Sequence, residues 1–269
     1  FTAIMSSRFP SSVADQVRQA SEALKRATED GLHRHSVRLL LPLIGATELD
    51  DWPGGSRQMI EAAYPLMENI LTNTGAERVS QSVLDESDGV RAIMAQATEA
   101  KDDSCAVLLP SADTIPQLQT LEKQVGDTRN LVIANPQWKR QSDFGFFGRK
   151  NKIDFAETFV PTFHCTNLIV EGQQARILRS HPGPWRVFVS EDQRGVIEWK
   201  EIGSKEFLAT KPEGWNGKAA NSKDGGRLFD YGQPTYQEIS EMIVSQEGYR
   251  PPTVTERAAA AFTFNKDAL

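Results

Sequence analysis

Leu131–Trp138, LVIANPQW, is the stretch whose reading decides the fold. Its first four residues form a short apolar run, the mark of a strand covered on both faces. Asn135-Pro136 then breaks the run into a long loop that carries aromatic and cationic side chains. In an open α/β sheet, ligands and partners gather at the carboxyl ends of such strands. This exit is therefore the first place to look for a working surface.

Working back toward the amino end, Cys105–Leu109 reads as a second buried strand. Ile115, Leu118, Leu121 and Val125 recur at helical spacing between the two. Further upstream, Val90, Ile93, Met94 and Ala97 predict another helix, and Arg78–Leu84 a weak strand. Met59, Ala62, Ala63, Leu66 and Ile70 mark a helix that Pro65 should kink or divide. Val37–Ile44 is nearly continuous in apolar residues, as a buried strand requires, and Pro42 favours an edge position or a bulge. Ser12 with Asp15 opens a helix through Val13, Val17, Ala20, Leu24 and Ala27, which Gly31 is placed to end. Alternating strands and helices point to a mostly parallel sheet flanked by helices.

Downstream the character changes. Phe163–Val170, Gln174–Arg179, Trp185–Ser190 and Val196–Ile202 are short strand-like runs joined by turns at Glu171-Gly172 and Asp192–Gly195. Connections this short join antiparallel strands. His181–Trp185, HPGPW, reads as a rigid corner with Trp185 packed inward. Lys211–Gln233 predicts a long, mobile surface loop, and Thr235 with Glu238 a capping box for a last helix bearing Ile239, Met242 and Ile243. The expected fold is a single α/β domain over residues 11–249. Its mixed sheet is parallel in the first half and an antiparallel meander in the second, with helices on both faces. Leu39, Leu41, Val107, Leu108, Val132 and Ile133 should lie in the core. Residues 1–10 read as an exposed leader remnant, since an opening on Phe1 fits a processed or trimmed terminus. Residues 250–269 read as an extended tail with one short helix near Ala258–Ala261.

Composition excludes some classes of function. With 39% hydrophobic and 25% charged residues, the 269-residue chain can bury a core. A net charge of −6 argues against a protein that coats nucleic acid, while leaving local basic patches open. No apolar run approaches the roughly 18–20 residues that span a bilayer, so any membrane contact would be peripheral. Cys105 and Cys165 both lie in strand-like runs and read as buried thiols.

Common catalytic motifs are missing. The chain has no GxxxxGKS/T, GxGxxG after a strand, HExxH, CxxC or GxSxG. No cofactor or metal is expected. Asp50, with Glu48 and Asp51, precedes a glycine-rich βα loop, while Asp113 and Asn135 follow the next two strands. These three positions, Asp50, Asp113 and Asn135, define a possible polar crevice at one sheet edge. They also have plain structural readings: a solvated acidic loop with Ser56 capping its helix, Asp113 capping another, and Asn135 closing a turn. His164 and Cys165 are neighbours on a strand and point to opposite faces, so they cannot easily act together. His33 and His35 have no companion ligands nearby in sequence.

The loop Trp138–Lys152, WKRQSDFGFFGRKNK, is the strongest candidate. Lys139, Arg140, Arg149, Lys150 and Lys152 face only Asp143, inside an acidic chain. Trp138, Phe144, Phe146 and Phe147 are interleaved with them, and Gly145 and Gly148 leave the segment pliable. Aromatic and arginine side chains anchor interfaces, and the same mixture suits an anionic membrane surface. Trp138, Lys139, Arg140, Phe144, Phe146, Phe147, Arg149 and Lys150 are thus the expected partner-binding residues. The competing reading has the phenylalanines folded onto the core and the cations merely solvated.

Five further stretches carry a resemblance. They are Phe9–Ser12 with its alanine-rich helix to Leu32, Val37–Leu43, Asn135–Trp138, Pro182–Phe188 and Gln233–Ile239, which together span Phe9–Gln246. In their order and spacing the chain resembles a plastid and cyanobacterial domain-of-unknown-function family. That family includes the low-photosystem-II-accumulation type of assembly factor and the region appended to one plastid adenylate kinase. The resemblance implies a chloroplast setting, in the stroma or peripheral on the thylakoid. It also implies a photosystem or other thylakoid complex as partner, and it supplies no catalytic residue. The expected function is non-catalytic: assembling, stabilising or linking such a complex. The alternative is an enzyme or small-ligand binder using the crevice.

Overall fold

The computed structural model describes residues 8–44, 52–85, 89–139, 141–193, 196–210 and 232–263. In chain order the first elements are α1 (Val13–Glu29), β1 (Arg34–Arg38), α2 (Gly55–Asn73), β2 (Arg78–Asp85), β3 (Val90–Gln96) and β4 (Ser104–Leu108). There follow α3 (Ile115–Val125), β5 (Asn130–Ala134), α4 (Arg149–Ala156), β6 (Val160–Val170), β7 (Gln173–Ser180), β8 (Trp185–Gln193), β9 (Val196–Lys205), α5 (Tyr236–Val244) and α6 (Val254–Thr263). All nine strands form one sheet in the order β2-β3-β4-β5-β1-β6-β7-β8-β9. Its middle, β4-β5-β1-β6, is parallel, and antiparallel strands extend it on both sides. The chain is therefore a single mixed α/β unit, as its pattern of elements predicts.

Alternation along the strands explains why helices cover both faces. Leu108 and Val132 point to a cluster with Ala20, Leu24, Leu66 and Met67 of α1 and α2. Their neighbours Val107 and Ile133 point the other way, to Leu118 of α3 and Ile153 of α4. In the same manner Leu178 joins the first cluster while Ile177 packs with Ile239 and Ile243 of α5. So α5 lies on the face opposite α1 and α2. All six residues expected in the core are buried.

Local signals account for the element ends. The Ser12 hydroxyl accepts the Asp15 N–H, and the Asp15 carboxylate accepts the Ser11 N–H, closing the start of α1 reciprocally. Thr235 and Glu238 form a full capping box at α5. Between β6 and β7, Glu171 and Gly172 both adopt left-handed φ, +52° and +76°, as a two-residue hairpin turn requires. Trp185 is buried, as expected.

Several expectations are corrected. Residues Val90–Gln96 form a strand, not a helix. Val90 and Ala92 face one cluster and Ile93 and Ala95 the other, so a strand buried on both sides matched helical spacing. Because β3 is antiparallel to both β2 and β4, the first half is only partly parallel. Strand β1 starts earlier than expected and stops at Arg38, before the leucines. Pro42 thus lies beyond the ladder, and β1 is central rather than at an edge. Helix α2 runs unbroken past Pro65 in one piece, and its cap is Gly54, not Ser56. Phe9 and Pro10 are buried, so the exposed segment expected over residues 1–10 does not reach them. The expected tail contains α6, which packs against β7. Apart from Gly232 and Gln233, the loop expected over Lys211–Gln233 lies outside the described residues.

Candidate functional site

At the carboxyl ends of β1 and β5 the chain leaves the sheet toward opposite faces: β1 leads to α2, its neighbour β5 to α4. Such a divergence is where open α/β sheets form a crevice. Here the chain's own backbone uses the polar groups at that position. Asn135, buried with φ +49°, accepts the Leu39 N–H through Oδ1 at 2.9 Å and donates Nδ2–H to the Leu39 carbonyl at 2.8 Å. Gln16 of α1 does the same for Leu40, with both contacts at 2.9 Å. Two amide side chains thus replace the ladder that β1 lacks beyond Arg38, and Leu39, Leu40 and Leu41 are all buried.

Asp113 is exposed on a short 3₁₀ turn, 3.6 Å from Lys152 Nζ, and the Ser111 hydroxyl caps that turn. Asp50, with Glu48 and Asp51, lies outside the described residues.

Beyond Asn135 the loop divides into a buried and an exposed half. Arg38 donates to the Pro136 carbonyl and Gln137 N–H to that of Pro110, fixing the exit path. Trp138 and Phe144 are both buried in the α3/α4 cluster, their ring centres 5.7 Å apart. Between them the Asp143 carboxylate accepts the Lys139 N–H at 2.7 Å. Truncating either ring would cost about 3–5 kcal/mol. The reading that sends phenylalanines into the core therefore holds for Phe144 alone.

Phe146 and Phe147 do the opposite: they are 89% and 94% exposed, side by side at the loop's tip. Gly145 and Gly148 flank them at φ +63° and +65°, a backbone that L side chains rarely adopt. Helix α4 begins directly after Gly148, where a continued loop was expected through Lys152. Arg149 bends back to donate Nε–H to the Gly145 carbonyl at 2.5 Å, its guanidinium 4.8 Å from the Phe146 ring centre. Lys150 is paired with Asp154 at 2.6 Å. Arg140 lies outside the described residues. Leaving two phenylalanines in water forgoes roughly 1.5–3 kcal/mol each. Neither ring contributes to the core where it stands.

The histidines and cysteines have structural surroundings. His35 is buried between Thr162 Oγ1 at 2.9 Å and Asn130 Oδ1 at 3.3 Å, and burial lowers its pKa to about 4. His33 reaches the same Asn130 oxygen. His164 lies edge-on to Trp185 while Cys165 faces the α1/α2 cluster, so the two do point apart. Both cysteines are free thiols pushed up to about 12 by burial. Among the described residues no three His, Cys, Asp or Glu side chains come together to hold a metal ion, and no helix is long and apolar enough to cross a membrane.

One feature escapes sequence reading. A groove of about 640 Å³ runs between β7–β9, α5 and α6, with Val189, Ile202 and Ile243 among its lining residues. The Glu191–Lys200 pair, at 2.8 Å, stands on its rim. Only the Ala258–Ala261 run hinted at the helix that completes it.

Comparison with curated proteins and with solved structures finds no match. A family model matches residues 10–217, which takes in everything from α1 to β9 and stops before α5. On that match over most of its length, the chain belongs to the family described as Domain of unknown function (DUF1995).

Proposed function

We propose that this protein is a non-catalytic plastid factor that assembles, stabilises or links a photosystem or another thylakoid membrane complex. Its contact is the tip of the loop between β5 and α4. The observation that carries this reading is the exposure of two adjacent phenylalanines on a tip whose base is locked by Trp138 and Phe144. An apolar pair held out in water, where its burial adds nothing to the core, is explained by a surface that covers it. The plastid setting, in the stroma or peripheral on the thylakoid, comes from the resemblance to the low-photosystem-II-accumulation type of assembly factor. The appended region of a plastid adenylate kinase belongs to the same resemblance.

An enzyme or ligand binder built on Asp50, Asp113 and Asn135 gains no support from Asn135, which is buried with both its amide oxygen and its amide nitrogen bonded to the Leu39 backbone. The test is direct. A photo-cross-linking benzophenone side chain placed at position 147 should capture thylakoid components on illumination of intact chloroplasts. The same probe at Lys25, on the exposed side of α1, should not. Equal yields at both positions would sink the proposal.

A further inference from the structure

The two exposed rings form a very small apolar patch. Ser142, Asp143, Gly145, Gly148, Lys150 and Asn151 around them are exposed and polar or lack a side chain. A stable protein–protein interface covers about 800 Å² on each partner with an apolar centre, and the tip offers only two side chains. A bilayer interface makes no such demand, because partitioning is governed by each buried apolar side chain together with nearby positive charge.

Charge at the tip points the same way. By sequence Lys139–Lys152 carries five cations and one carboxylate, net +4, within a chain of net −6; Lys150 and Lys152 are partnered by Asp154 and Asp113, and Arg149 is the cation that stands beside the rings. Arg149 lies against Phe146, so a charge stands where an inserted ring would meet the headgroups. Helix α4 begins at the tip, and its cap Gly148 offers no side-chain acceptor to the first-turn amides. The positive end of that helix therefore faces the same layer. We infer that Phe146 and Phe147 enter the interfacial layer of a bilayer bearing anionic headgroups, so that lipid itself receives the two rings. This rests on the docking role proposed above and names what the tip docks into.

The purified full chain is mixed with vesicles of phosphatidylcholine and phosphatidylglycerol, and in parallel with vesicles of phosphatidylcholine alone, and bound protein is measured by sedimentation. The mixed vesicles should bind it more tightly, and added salt should weaken that binding. Phe146→Ser with Phe147→Ser should reduce binding by at least about tenfold. Arg149→Gln should reduce it about fivefold on mixed vesicles, the equivalent of on the order of 1 kcal/mol, and leave neutral vesicles nearly unaffected. Failure of the full chain to bind mixed vesicles, or equal binding by the double variant, overturns the lipid inference. If position 147 nevertheless cross-links to a thylakoid protein, the docking role stands and only its lipid receptor falls. If neither vesicles nor thylakoid proteins are contacted, both fall.

Discussion

Asn135 and Leu39 are joined by two hydrogen bonds, the side-chain amide of one closing on the backbone N–H and carbonyl of the other at 2.9 and 2.8 Å. The pairing holds the end of β1 beside the exit of β5 and so sets the root of the loop between β5 and α4. Asn135→Ala removes both bonds, strands two buried backbone groups and forces alanine to φ +49°. It should cost about 3 kcal/mol in denaturant melts. Asn135→Gly keeps the backbone at ease and should cost about 1 kcal/mol less. Equal losses would mean that the left-handed backbone contributes nothing.

Acid should weaken the fold through His35. Burial is the main cause of its lowered pKa, with His33, His181 and Arg34 adding to it, while the Asn130 hydrogen bond opposes it. The unfolded chain takes up this proton near pH 6.5 and the folded one only near pH 4. Between those values the unfolded state binds more protons, so stability is full above the window and falls as pH drops through it. The loss is on the order of 3 kcal/mol. His35→Gln should flatten that limb of the stability–pH curve. An unchanged limb would assign the acid sensitivity elsewhere.

Phe9 belongs to the fold. Its ring lies 5.5 Å from both Phe188 and Trp199, and the Arg176 guanidinium contacts two of these rings, 4.6 Å from the centre of Phe9 and 3.8 Å from that of Trp199. Burial lowers the Arg176 pKa to about 10. Phe9→Ala should cost about 3 kcal/mol or more by thermal melting. Arg176→Met should cost about 1 kcal/mol, because the lost cation–π attraction is offset by removing a poorly hydrated charge. A silent Phe9→Ala would restore the exposed segment expected from sequence.

What could be read in the sequence followed from its periodicities. Strands β4 to β9 announce themselves as short apolar or alternating runs between turn residues, and α1 and α5 by their caps. Strand β3 escapes this reading because apolar residues at both parities of a doubly buried strand coincide with helical spacing. The leucines after Arg38 resemble a strand because burial, not hydrogen bonding, leaves its mark on composition. Their true partners, Asn135 and Gln16, are 96 and 24 residues away from the positions they hold, and become visible only once β5 and α1 are known to lie against the end of β1. Within the loop between β5 and α4, sequence marks all four aromatics alike. Only geometry separates Trp138 and Phe144, which hold the loop, from Phe146 and Phe147, which project from it.

The most direct test of that division is retention on isolated thylakoid membranes, measured alongside melting for two double variants. Phe146→Ser with Phe147→Ser should release the protein from the membranes while leaving its melting temperature nearly unchanged, because neither ring packs against the core. Trp138→Ala with Phe144→Ala should lower the melting temperature by several degrees or more, since each buried ring contributes about 3–5 kcal/mol. Retention of the Phe146/Phe147 variant at the level of the unaltered protein, or its unfolding, would contradict the account.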